Sequence, residues 1–281
     1  MKRIRAIALL SLAACVPAVE SYAQPLVNQR ETTAPGPSYS RSAGLVIAAP
    51  LVIDATVTRA TVLPAARATG VSPGHARFYV QARVAGLIRG SGGVAAEIAY
   101  LADVPLDSRG RAPKLKRMRV MLFARAVPGR PGEVQLVRPD GQITWSPALD
   151  AQVRAIAAEA VRPDAAPAIT GVGSANHVRG SLTGEGESTI FLQTADQRPV
   201  SLTVVRRPGQ APTWSVSLSE VVTDTVGEIR RDTLLWYRLA CSLPVTLPES
   251  SLAGVEPGDA DIAREDYRFV LEQLGSCATG V

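Results

Sequence analysis

The sequence is poor in the residues on which metal, haem and nucleophilic sites depend. Its 281 residues include two histidines and three cysteines, and none of them stands in a CxxC, HExxH or paired-histidine spacing. Zinc sites and haem attachment need such spacings, so we expect no metal and no other cofactor. The nucleophile motif Gly-x-Ser-x-Gly is also absent. We therefore assign no catalytic residue from a motif.

Aromatic side chains and long apolar runs are scarce as well. Aromatic residues make up 5% of the chain, whereas barrels that bind single-stranded nucleic acid stack bases on aromatic platforms. We therefore expect no nucleic-acid partner. Past residue 23 no segment is apolar enough to span a bilayer, which takes about 20 apolar residues. The overall 46% of hydrophobic and 20% of charged residues are nevertheless typical of a folded globular chain.

Residues 1–23 have the pattern of a signal peptide. Three basic residues precede an uncharged, mostly apolar run at 6–19, and Ser21 and Ala23 put small side chains at the −3 and −1 positions of a cleavage site. A second route stays open, because the segment LAAC, which ends at Cys15, resembles the lipobox of bacterial lipoproteins. We therefore expect a periplasmic or secreted protein, with an outer-membrane lipoprotein as the alternative. Attachment to a membrane is expected only if Cys15 is lipidated.

The chain that follows divides into a tether and two domains. Residues 24–44 hold several prolines, serines and threonines without apolar periodicity, which predicts a disordered tether. Residues 45–162 alternate apolar and polar side chains in short runs, which is typical of half-buried strands. The organising run is PKLKRMRVMLFARAV at 113–127; it turns continuously apolar at Val120, as a central strand covered on both faces would. A helix capped by Ser146 closes this domain.

Strands are predicted at 51–62, 77–89, 95–102, 113–127, 133–137 and 142–145. Five or so strands closed by a helix fit a small OB-like β-barrel. The segments RFYVQARVAGLIRG, IAYLADVP and VMLFARAV resemble the OB-like domains of secreted bacterial proteins, over about residues 51–137. The whole chain is similar to exported proteins of Gram-negative bacteria with such an N-terminal domain, and that resemblance implies no activity.

Residues 163–281 are predicted to form a small α+β domain, which makes the whole chain mainly β or α+β. Strands at 189–194, 200–206 and 213–222 are joined by tight turns into an antiparallel meander. Two helices, at 233–242 and 261–274, are expected to cover its apolar face. Cys241 and Cys277 lie near the ends of these helices. They are the only thiols left once Cys15 is removed or lipidated, so in an oxidising compartment they are predicted to form a disulfide.

Charge is divided unevenly between the two domains. Residues 45–162 carry 16 basic against 8 acidic residues, and 163–281 carry 9 basic against 15 acidic residues. This division favours docking of the domains on each other, although each can also present a solvated charged face. The densest basic cluster consists of Arg109, Arg111, Lys114, Lys116, Arg117 and Arg119. On an OB-like barrel such a cluster can bind an anion, and a solvated or interdomain face is the alternative.

Two hypotheses of function remain. In the first, the chain is an exported, non-enzymatic envelope protein of two small modules that bind a protein partner or an anionic polymer. In the second, it is a hydrolase or transferase acting on an envelope polymer, with Glu185, Glu187 and His177 as its reacting groups. The second hypothesis requires these three side chains to converge in one concave pocket.

Overall fold

The computed structural model describes residues 37–218, 225–226 and 229–277. For 225–226 it describes the backbone alone. The predicted signal peptide, Cys15 and the first part of the predicted tether lie outside the described residues, as do residues 219–224 of the predicted strand at 213–222.

The first half of the described chain is built on an antiparallel sheet. Its strands are β1 (Leu51–Val62), β2 (His75–Arg89), β3 (Glu97–Pro105), β4 (Arg119–Ala126), β5 (Val134–Leu136) and β6 (Gln142–Thr144). They are ordered β3-β2-β1-β4-β5, and β6 also pairs with β4. The prediction of a central strand is therefore confirmed for the second part of 113–127. Its first six residues precede the strand in a turn, in which Arg117 has a positive φ of 73°.

Both faces of this sheet are covered, which explains the continuous apolar run of β4. On one face Ile53 and Leu122 belong to a core formed by side chains of β1 to β5 together with Leu115. On the other face Met121 and Phe123 pack, fully buried, against two helices. Asp54 also lies on this second face and is 3% exposed. The alternation of β1 predicts that Asp54 faces solvent, and burial is possible because Arg119 neutralises its carboxylate.

The two edges of this sheet, β3 and β5, approach each other without closing a barrel. Ala99 and Glu133 form one isolated parallel bridge, and the amide of Ala99 donates to the carbonyl of Gly132 at 2.8 Å. Beyond that bridge the described strands β3 and β5 do not pair. The fold is thus mainly β with a few helices, and the closed OB-like barrel predicted from the sequence is not established.

Two helices cover the second face of the sheet: α1 (Tyr39–Ala48) and α2 (Pro147–Glu159), the latter capped by Ser146 as predicted. Residues 39–44 lie in α1, so the prediction of a disordered tether is wrong for these six residues. Their serines suggested a solvated segment, but Ser42 is fully buried and donates a hydrogen bond to Gln152 of α2 at 2.8 Å. The polar composition of this segment did not indicate a helix, because the hydrogen-bond partner of the Ser42 hydroxyl lies in a different element, α2.

The second half is an antiparallel meander covered by helices. Its strands are β7 (Ile169–Arg179), β8 (Gly186–Thr194), β9 (Val200–Arg206), β10 (Thr213–Ser217) and β11 (Thr225–Val226), ordered β11-β10-β9-β8-β7. A short 3₁₀ helix (Glu249–Leu252) and the helices α3 (Leu234–Ala240) and α4 (Pro257–Leu274) complete it. The α+β prediction is confirmed, but β7 was not predicted. Two glycines in that strand and a shift of register between Val172 and Ala175 interrupt its apolar alternation.

Apolar side chains, rather than opposite charges, join the two halves. Tyr39 of α1 and Tyr237 of α3 each pack against both the α1–α2 core and the core of the second sheet. Among the described residues, the only ion pair between the two predicted domains joins Arg162 to Asp164, at the boundary itself. The charge asymmetry predicted docking, but the described contact does not depend on it.

The predicted disulfide is present. Cys241 is the C-cap of α3, Cys277 follows α4, and their α-carbons are 5.0 Å apart. A disulfide is compatible with an extracellular or periplasmic location. None of the described helices is both long and apolar enough to cross a membrane.

Candidate functional site

Five residues of the basic cluster lie on the connection from β3 to β4, and Arg119 is the first residue of β4. This connection is fixed to the sheet at several points. The carboxylate of Asp107 accepts hydrogen bonds from the backbone amides of Arg109 and Arg111, both at 2.9 Å. These bonds, that from Arg111 first, lower the pKa of Asp107. Leu115 is 4% exposed and anchors the loop in the core. The amide of Arg117 donates to the carbonyl of Val57 on β1 at 2.8 Å, so the end of the loop extends the pairing of β4 with β1.

Two of the six predicted anion-binding residues have carboxylate partners of their own. Arg119 donates to both oxygens of Asp54, at 2.9 and 2.6 Å. These bonds raise the pKa of the Arg119 guanidinium, which also lies 3.7 Å from the ring centroid of Trp145. Arg111 pairs with Asp107 at 3.0 Å. Arg119 therefore neutralises a buried acid, and it is not a free anion-binding group as the sequence suggested.

The other four residues of the cluster are exposed: Arg109, Lys114, Lys116 and Arg117. In the described chain none of their side chains forms an ion pair. Lys114, Lys116 and Arg117 line a groove of about 420 Å³, which we call the basic groove. Its remaining lining residues are apolar: Ala60, Val62, Phe78, Ala112, Pro113 and Leu115. The groove thus presents three cations and no carboxylate.

Such a groove attracts anions by charge and has little selectivity for a particular anion. Lysine ammonium groups act as mobile point charges, whereas an arginine presents a planar fork that matches phosphate, sulfate or carboxylate oxygens. Three unpaired cations within one groove favour a ligand with repeated negative charges over a single small anion, since each contact releases a counterion. The chemistry that this site supports is therefore binding.

The three side chains of the enzyme hypothesis do not converge. Glu185 and Glu187 line a depression of about 560 Å³ at the edge of the second sheet, together with Arg179 and Arg206. His177 is opposite Ser188 in the β7–β8 ladder, and neighbouring positions on a strand face opposite sides. His177 therefore lies on the buried face, away from Glu187. The condition that this hypothesis required is not met in the described chain.

His177 instead belongs to a buried polar network that the sequence did not predict. Its Nδ1 is 2.9 Å from Oγ of Ser188, and that hydroxyl donates to Oδ2 of Asp266 at 2.5 Å. Arg206 donates to Oδ1 of the same carboxylate at 2.7 Å. Ser188 and Asp266 are both fully buried, so the hydroxyl is closed to any substrate.

The sequence does contain a signal for this network. Asp266 follows Ala263 by three residues, on the face of α4 that also buries Val270, and an acid on an apolar face needs a partner. Gly186 is the first residue of β8, and a Cβ at this position would lie 2.5 Å from Cε1 of His177. The network thus requires glycine at this position.

The basic groove and the buried network differ in how their charges are compensated. The groove is open and its cations are unpaired, whereas the network is closed and its groups satisfy one another. Comparison with protein-family models and with curated proteins finds no match to this chain.

Proposed function

We propose that the chain is an exported, non-enzymatic protein of the bacterial envelope that binds an anionic polymer through the basic groove. The observation that carries the proposal is the lining of that groove, in which Lys114, Lys116 and Arg117 meet no carboxylate. In this proposal the first sheet and its helices act as the OB-like module that the sequence resembles. The location is periplasmic or secreted, with lipidation at Cys15 as the alternative.

The surroundings of the groove support this proposal. Elsewhere on the described surface most arginines have a carboxylate within reach, such as Arg154 with Asp150 at 2.8 Å and Arg162 with Asp164 at 2.6 Å. An ion-paired arginine has little charge left for a ligand, whereas the groove residues keep theirs. A polymer following the groove would meet all three cations in turn.

Replacing Lys114, Lys116 and Arg117 together by glutamine is expected to weaken binding to heparin and to inorganic polyphosphate. The slope of log affinity against log salt should fall by about two to three, because roughly one counterion is released for each neutralised contact. Salt-gradient elution from immobilised heparin and titration with polyphosphate measure this effect. Circular dichroism should be unchanged, since all three side chains are exposed.

A matched control separates the groove from the net charge. Replacing Arg83, Arg154 and Arg162 by glutamine removes the same charge from exposed, ion-paired positions, and it should leave the salt slope close to that of the unmodified protein. If both triple variants lose the same amount of binding to heparin and polyphosphate, the loss is explained by net charge alone, and the proposed site is contradicted.

Export is tested on protein isolated from its native envelope. Intact-mass analysis should show an N-terminus at Gln24, or a lipidated Cys15 if the lipoprotein route is used, because the two processing signals compete within residues 1–23. A full-length form that begins at Met1 and stays in the cytoplasm would contradict the proposal.

A further inference from the structure

A depression lies on the first sheet between strands β3 and β5. It measures about 770 Å³ and contains residues from both edge strands. The two strands run parallel, and among the described residues the bridge between Ala99 and Glu133 is the one pairing that joins them. Beyond that bridge the described parts of β3 and β5 do not pair. We call this depression the seam groove.

The open edge of β3 has a defined set of backbone groups. The amide of Ala99 points away from β2, because it donates to Gly132 across the seam. Backbone groups alternate in direction along an antiparallel strand, so the amides of Leu101 and Asp103 point towards the seam groove as well. Among the described residues these two positions form no bridge with β5. An unpaired edge of this kind is a template for another strand.

Apolar side chains lie beside this edge. Tyr79 of β2 and Leu101 of β3 are directly opposite each other in the β2–β3 ladder, and both line the seam groove. They are 40% and 48% exposed. An exposed aromatic–aliphatic pair next to an open strand edge provides the apolar contact that a bound strand needs in addition to its backbone hydrogen bonds.

The charge of the seam groove indicates what the bound strand should carry. Arg77 donates to both carboxylate oxygens of Asp103 at 2.7 Å, and Arg130 pairs with Glu133 at 3.1 Å. Arg125 differs, because its partner at 3.1 Å is the neutral amide of Gln135. The lining contains four arginines against two acids. The fourth, Arg138, pairs at 3.0 Å with Asp140, which lies outside the lining, so the guanidinium of Arg125 remains available to a carboxylate.

We propose that the seam groove binds an extended segment of a partner polypeptide, which pairs with β3 and places an acidic side chain near Arg125. This proposal is independent of the polymer site, since the basic groove and the seam groove share no lining residue. A second copy of this chain is a poorer occupant. Pairing β3 with β3 would bring the arginines of two seam grooves together, and like charges repel.

The test uses the full chain and a labelled peptide of alternating valine and aspartate, followed by fluorescence anisotropy. The peptide should bind, while a version with lysine in place of aspartate and a version with N-methylated backbone amides should bind at least about tenfold more weakly. Hydrogen exchange at the amides of Leu101 and Asp103 should slow when the aspartate peptide is bound.

Variants of the protein localise the contact. Leu101→Pro removes an amide that faces the seam, at an edge position where proline is tolerated, and should weaken binding about tenfold. Arg125→Gln should weaken it about fivefold and reduce its salt dependence. Arg83→Gln, on the same sheet but outside the seam groove, should have no effect.

Three results would overturn the proposal. The first is no binding at about 1 mM peptide. The second is that the N-methylated peptide binds the unmodified protein as tightly as the unmethylated aspartate peptide does. This comparison does not depend on whether the proline variant folds. The third is concentration-dependent dimerisation in sedimentation that the Arg125→Gln variant strengthens, because the occupant would then be a second copy of this chain.

Discussion

Replacing Arg206 by leucine is expected to lower the free energy of unfolding by about 3 kcal/mol. The carboxylate of Asp266 is fully buried and receives hydrogen bonds from Ser188 and from Arg206. Without Arg206 that negative charge would stay buried with one hydroxyl as its partner. The Arg206 side chain is itself 23% exposed, so water can replace part of the lost contact. We therefore expect a loss at the lower end of the range of about 3–5 kcal/mol that is found when one partner of a buried ion pair is removed. Urea denaturation followed by circular dichroism measures it.

Two further variants test the physical cause. Replacing Arg206 and Asp266 together by leucine should recover most of the loss, since a buried pair exchanged for apolar side chains is often neutral. Replacing Arg83 by leucine should change stability by no more than about 0.5 kcal/mol, because Arg83 and its partner Glu97 are both exposed. If the Arg206 variant is as stable as the unmodified protein, Asp266 does not depend on this partner.

Local patterns predicted most of the regular structure. The alternation in residues 51–62 gives β1 with the bounds that the structure has, and residues 200–206 give β9 in the same way. The sequence Ser146-Pro147 fixes the start of α2, because a serine cap and a proline at the first turn are both local signals. Features set by neighbours within a few residues are therefore readable from the sequence.

Partners distant in the sequence were not predicted. Arg119 and Asp54 are separated by 65 positions, and Ser188 and Asp266 by 78. In the sequence Arg119 is one member of a basic cluster, and nothing nearby marks it as the partner of a buried acid. The cluster therefore overstated the number of free cations, and Asp266 was counted only as part of an acidic domain.

Closure of the first sheet is also a property of distant segments. The strand pattern predicted β1 to β6 individually, but whether β3 meets β5 depends on how far the sheet curves. One bridge at Ala99 is all that joins these edges in the described chain. The seam groove exists because the strands stop short of pairing, and no local signal in β3 or β5 reveals that.

Replacing Cys241 and Cys277 together by serine is expected to lower the free energy of unfolding by about 4 kcal/mol in the chain-entropy model, since the bridge closes a loop between residues 36 positions apart. For a chain of this size the melting temperature should fall by roughly 8–16 °C. The bridge ties the C-cap of α3 to the residues that follow α4. Nε1 of Trp236 already donates to the carbonyl of Leu274 at 2.9 Å, so α4 should stay docked in the folded variant.

Thermal denaturation with and without a reductant distinguishes this mechanism from a local packing defect. Reductant should lower the melting temperature of the unmodified protein to that of the double-serine variant, and it should leave the variant unchanged. The backbone around Trp236 should show the same hydrogen-exchange protection in both folded proteins, because the chain-entropy model assigns the effect to the unfolded ensemble. A variant that melts with the unmodified protein, or that loses protection throughout α3, would contradict that assignment.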